Sequence, residues 1–140
     1  MTDDTTRPIS QEGRIIQVKM CERLKNEGFY PDSILHSPLT RTKQTAEIIA
    51  TLFQLEPHSN EALGNSFDEN VLLKKIPDPK LGQTIFMVGH APTLLRFANR
   101  LVGRSTPIYD LDRSSALVLS FDETIDFGKA KFRHYFSPQP

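Results

Sequence analysis

The stretch Thr84-Ile85-Phe86-Met87-Val88-Gly89-His90-Ala91-Pro92 decides the fold. Its first five residues form an unbroken run without charge, the pattern of a parallel strand covered on both faces. Gly89 allows a tight turn with close backbone approach. Pro92 then opens a helix, where its missing N–H costs nothing, and Leu94, Leu95, Ala98 and Leu101 carry the helix to a stop at Gly103. A buried strand running straight into a helix predicts an α/β domain with a mostly parallel sheet.

Working outward, the same unit recurs upstream. Ser33 to His36 reads as a short buried strand, and Ser37-Pro38 as the N-cap and first residue of a helix. Ala46, Ile49, Ala50 and Phe53 give its apolar face, so it reaches about Leu52 or Phe53. Before it, Ser10 is a good N-cap for a helix running to about Asn26, with Ile16, Met20 and Leu24 as the inner stripe, Gly13 on the same face and Gly28 as the stop. From Leu55 to Leu81 the pattern weakens to a polar loop, a short helical piece near Glu69 to Ile76, and Pro77-Asp78-Pro79. Two strands close the chain, Ala116 to Phe121 and Ala130 to Phe136, joined through Asp122 to Gly128. Met1 to Arg7 carry no periodic pattern.

The chain has 140 residues, enough for one domain with a real core across residues 1–140 and too few for two ordinary ones. Its 17 acidic and 17 basic residues give zero net charge, which argues against bulk attraction to nucleic acid or to an anionic membrane. Cys21, the single cysteine, has no partner for an intramolecular disulfide. With no leader pattern and no apolar run long enough to span a bilayer, the expectation is a cytoplasmic protein.

Two residues carry candidate chemistry. Arg41 falls in the opening turn of the helix after strand Ser33 to His36, and His90 falls directly after strand Thr84 to Val88. In open α/β sheets, ligands bind at the carboxyl ends of the strands. A guanidinium offers a planar fork of donors to phosphate oxygens, and helix N-termini add oriented N–H groups. An imidazole beside them can donate to a phosphoryl oxygen as charge develops. The pairing at one sheet edge predicts an anion site. His36 reads as structural and His58 as a solvent-exposed loop residue.

The wording around these residues resembles a known family. Ser37-Pro38-Leu39-Thr40-Arg41-Thr42-Lys43-Gln44-Thr45-Ala46 is similar to the S-P-x-x-R-x-x-Q-T-A segment of the histidine phosphatase superfamily. Val88-Gly89-His90-Ala91-Pro92-Thr93 resembles its V-G-H-x-P segment, and Arg7-Pro8-Ile9-Ser10-Gln11-Glu12-Gly13 looks like the R-P-L-[TS]-x-x-G opening of the SixA-like phosphohistidine phosphatase branch. The resemblance implies a three-layer sandwich, phosphoglycerate-mutase-like, with helices on both sides of a mostly parallel central sheet. It also implies metal-independent hydrolysis, without a cofactor, through a phosphohistidine enzyme intermediate. Arg41 and His90 are then the catalytic pair that holds phosphate, with Ser37 as a further substrate-binding residue. The partner would be a phosphohistidine-bearing signalling protein, with a small phosphate ester as the alternative.

One departure accompanies the match. The family opens with a strand ending in Arg-His-Gly or Arg-His-Ala, whose histidine is the nucleophile, and this sequence starts only a few residues before Arg7. The first central strand is therefore expected to be lacking, the domain N-terminally truncated, and the strands at Ser33 to His36 and Thr84 to Val88 are expected to flank the gap. Arg133-His134 reads as part of the last strand rather than as a displaced nucleophile pair. Of Glu61, Asp68 and Glu69, none is assignable as a general acid. A catalytically dead phosphate- or phosphoprotein-binding module of the same fold is the rival from another class. A small-molecule phosphomonoesterase or mutase-like enzyme is the rival within the superfamily.

Overall fold

The computed structural model describes residues 8–103 and 114–138. The element order is α1 (Gln11–Asn26), β1 (Ser33–His36), α2 (Thr40–Phe53), β2 (Pro57–Ser59), α3 (Glu69–Lys75), β3 (Ile85–Val88), α4 (Ala91–Val102), β4 (Ala116–Ser120) and β5 (Lys131–Phe136), with 3-10 turns at Glu61–Leu63 and Pro79–Leu81.

Local chemistry explains the helix ends. Ser10 Oγ accepts from Gly13 N at 3.0 Å and caps α1. At its other end Gly28, at φ 85°, closes a paired turn: Gly28 N donates to Lys25 O and Phe29 N to Leu24 O. The buried stripe of α1 is Gln17, Met20, Cys21 and Leu24, with Ile16 only partly covered, so it sits slightly rotated from the expected one. The start of α2 differs from expectation more clearly. Ser37 and Pro38 do not open the helix; Leu39 is its N-cap and Thr40 its first residue. The reason is that Ser37 N still donates to Val88 O at 3.0 Å, so the backbone remains in the sheet for one residue beyond His36. Thr42 Oγ1 then donates to Leu39 O at 2.9 Å within the first turn of the helix.

A three-stranded parallel sheet has the order β2-β1-β3, and β4 and β5 form an antiparallel pair. One face of the parallel sheet lies under α1 and α2: Ile34 packs with Cys21, Ala46, Ile49 and Ala50, joined by Phe86 and Val88. The opposite face lies under α3 and α4, where Leu72, Phe97, Leu101 and Val102 meet Leu35 and Met87. Fully covering a side chain such as Ile34 or Leu72 contributes about 1.5–3 kcal/mol. β2 was not legible in the polar stretch after Leu55. It is three residues long, begins with a proline at a sheet edge, and owes its existence to pairing with β1.

The position of the gap corrects the sequence expectation. β1 and β3 do not flank an absent strand; they pair directly, Ser33 opposite Ile85 through His36 opposite Val88. The interruption lies instead between β3 and β4, which no strand pairing joins among the described residues. Both strands nevertheless pack under the same helices. Phe86 of β3 and Ala116 and Val118 of β4 share a cluster with Met20 and Leu24 of α1. On the other face Met87 and Leu119 share a cluster with Leu101 of α4. Every residue of β3 and β4 is only partly buried, where the apolar run of β3 predicted full burial. Among the described residues, the facing edges of β3 and β4 therefore have no strand partner.

Candidate active site

Direct pairing of β1 with β3 sets the site. Because His36 lies opposite Val88, the segment Ser37 to Arg41 and the turn Gly89-His90 leave the sheet side by side at its carboxyl edge. Arg41, half-buried, is the second residue of α2; His90, exposed, is the N-cap residue of α4. The His90 carbonyl accepts from Leu94 N at 3.0 Å and from Thr93 Oγ1 at 2.9 Å, while its imidazole makes no cap bond. Among the described residues, neither the Arg41 guanidinium nor the His90 imidazole has an internal hydrogen-bond or ion-pair partner. Two long helices thus begin at this edge, each with an uncommitted side chain at its start and the positive end of its dipole facing outward.

The third wall is the turn after β2. Asn60 N donates to His36 O at 2.9 Å and Asn60 Oδ1 accepts from Ala62 N at 2.8 Å, fixing the 3-10 turn. Gly64 then sits on Pro38, with a built β-carbon only 2.7 Å from Pro38 Cδ. A β-carbon on Gly89 would lie 3.5 Å from Leu63 O, so the same turn touches both neighbouring loops. Of the three carboxylates in this region, Asp68 caps α3 through Asn70 N and Val71 N. Glu69 pairs with Arg100, whose guanidinium lies 3.9 Å from the Phe127 ring centroid. Glu61, exposed on the turn beside Pro38, has no partner among the described residues.

Ser37 does not reach the surface. It is 1 % exposed, and its hydroxyl is shared between Thr42 Oγ1 and Leu39 N, so its side chain orders the loop that carries Arg41. Thr42 escaped the sequence reading; its hydroxyl also donates to Ser37 O at 3.0 Å. His36 is buried, with Nδ1 2.7 Å from Ser37 O; a carbonyl only accepts, so Nδ1 carries the proton. His58 is exposed on β2. Arg133 and His134 lie within β5, Arg133 held by Ser120 and Asp122 and the His134 ring tilted against that of Phe136. Arg7, the first residue of the third motif, falls outside the described residues.

Helices on both faces of a parallel sheet, with open loops at its carboxyl edge, make this an α/β domain of the phosphoglycerate-mutase-like fold. The sequence comparison narrows the class: residues 2–67 match the family model "histidine phosphatase superfamily (branch 1)". The chain is 32% identical over 107 residues to an uncharacterized protein of Picosynechococcus sp., a match covering 71% of this chain and 62% of that protein. The structure of the protein histidine phosphatase SixA complexed with tungstate superposes with a TM-score of 0.82 at 22% identity, covering 99% of this chain and 88% of that one. A mycobacterial glucosyl-3-phosphoglycerate phosphatase superposes with a TM-score of 0.71 at 15% identity, covering 95% and 88%. The histidine phosphatase resemblance read from the motifs therefore holds both in the sequence match and in the fold. No helix among the described residues is long and apolar enough to cross a membrane.

Proposed function

We propose that this domain is a phosphatase of the histidine phosphatase type, acting on phosphohistidine of signalling proteins. The observation that carries the reading is the placement of Arg41 and His90. Both are uncommitted, and both stand at the carboxyl ends of two directly paired parallel strands. Arg41 clamps phosphoryl oxygens through its guanidinium fork, and His90 donates to an equatorial oxygen as charge develops. The helix N-termini behind them hold donors in place, so no reorganisation accompanies the reaction. The attacking histidine that the resemblance implies must come in line with the leaving group. None of the chain's other three histidines meets that need: His36 is buried, His58 lies on β2 and His134 on β5. An incoming strand ending in Arg-His, placed between β3 and β4, would supply it.

That same observation favours a second reading, a phosphate- or phosphoprotein-binding module that keeps Arg41 and His90 and performs no chemistry. Titration with tungstate, inorganic phosphate and a phosphohistidine peptide tests the shared part. Arg41→Ala and His90→Ala should each weaken binding roughly ten-fold or more, the range for loss of a charge-assisted hydrogen bond. Unchanged binding in both variants would refute the site. A phosphohistidine peptide that binds no better than a small phosphate ester would redirect the substrate assignment to the latter.

A further inference from the structure

The Gln44 side chain makes a contact that the proposed chemistry has not used. Its Oε1 accepts from Ile9 N at 2.6 Å, a bond spanning 35 positions of sequence. Gln44 and Arg41 are three residues apart on α2, so they project from one face of the helix as neighbours. Ile9 immediately precedes Ser10, the cap of α1. Its side chain folds back over Gly13, where a β-carbon would meet Ile9 Cγ1 at 3.1 Å. The lead-in to α1 is thus fastened at three points: backbone to Gln44, side chain to Gly13, and the Ser10 hydroxyl to Gly13 N.

We infer that Gln44 is a positioning residue: by tying the Ile9 backbone ahead of α1 to the helix turn beside Arg41, it holds that turn for phosphate. This rests on the phosphate-clamp reading of Arg41. The bond works in both directions. It fixes the Ile9 backbone at the start of α1, and it restrains the turn of α2 from which Arg41 reaches phosphate. Pro8 just ahead of Ile9 offers no N–H of its own, which leaves the Ile9 amide as the donor at that point of the lead-in. A glutamine suits the task because a neutral amide accepts the bond without setting a negative charge beside the anion.

The test compares Gln44→Met, which keeps shape and neutrality but loses the acceptor, with Gln44→Glu, which keeps an acceptor. Hydrogen exchange at the Ile9 amide, tungstate affinity and thermal midpoint are read for each. Ile9 protection should vanish in Gln44→Met and persist in Gln44→Glu. Tungstate affinity of Gln44→Met should fall about three- to ten-fold, the range for one neutral hydrogen bond, with the thermal midpoint nearly unmoved. Retained Ile9 protection in Gln44→Met, or lost protection with unchanged tungstate affinity, would overturn the inference. A parent chain that binds no tungstate at all would instead sink the clamp reading, while the exchange data still report whether the tie exists.

Discussion

Gly64 rests on Pro38 so closely that a β-carbon at position 64 would lie 2.7 Å from the proline Cδ and 3.1 Å from Cγ. The contact joins two loops that share no sequence proximity, the turn carrying Glu61 and the segment leading to Arg41. A pyrrolidine ring cannot swing aside as a flexible side chain would. Gly64→Ala should therefore force the loops apart and destabilise the fold by about 1–3 kcal/mol, the usual cost of overpacking. Urea denaturation measures it, and tungstate affinity should fall in parallel because the Arg41 turn moves. A variant as stable as the parent would show that the contact is slack.

Gly13 offers a test in which the sign runs against propensity. Replacing an interior helical glycine by alanine ordinarily stabilises by about 0.5–1 kcal/mol. Here the new carbon meets Ile9 Cγ1 at 3.1 Å and Ser10 Oγ at 3.2 Å, and the serine is already committed to the cap. Gly13→Ala should lower stability by roughly 1 kcal/mol. In an Ile9→Ala background the same change should be neutral or favourable. A plain gain in the parent background would mean that Ile9 yields freely.

The helices, the strands other than β2, and the places of Arg41 and His90 at the starts of α2 and α4 were legible because each rests on local pattern: an apolar run into Gly89-His90, the Ala46/Ile49/Ala50/Phe53 face, the Ser10 cap. What escaped depends on partners distant in sequence. Nothing in Pro57-His58-Ser59 announces a strand until β1 lies beside it. Ser37 resembles an N-cap, but its N–H is claimed by Val88 O, a residue more than a helix away. The gap was misplaced for the same reason. Chain order gives no information about which parallel strands become neighbours, and only the register of β1 on β3 moved the interruption to the β3–β4 edge.

Cys21 predicts a pH dependence. Burial pushes its thiol pKa up from the ordinary value of 9.0, partly offset by the Gln17 side chain. A raised folded-state pKa means that the unfolded chain loses its proton first, so stability is intact below the unfolded value and falls as pH rises above it. Cys21→Ala, which removes the group, should therefore show a smaller loss than the parent between neutral pH and about pH 10. At neutral pH the native thiol should resist a disulfide reagent until denaturant unfolds the domain. Fast native-state labelling would contradict the buried position, at 0% exposure.

The interruption between β3 and β4 leads to the last expectation. The two edges are apolar, they share helices α1 and α4 above and below, and neither is paired to the other. An extended segment laid between them would satisfy both rows of backbone groups and cover the half-buried residues of both strands. The lead-in to α1 is tied at Ile9 to Gln44, three residues from Arg41 on α2. The 140-residue polypeptide should accordingly bind tungstate but form no acid-labile phosphoenzyme. Fusing an apolar strand ending in Arg-His-Gly ahead of residue 1 should raise the thermal midpoint by several degrees, since each kcal/mol gained is about 2–8 °C for a domain of this size. It should also produce the phosphoenzyme, through attack by the new histidine. His90→Ala in the extended protein should then reduce turnover by about 100- to 1,000-fold, the cost of removing one preorganised donor to a developing oxyanion. Turnover by the 140-residue polypeptide alone would place the nucleophile among its own four histidines, and His134 would be the first to mutate.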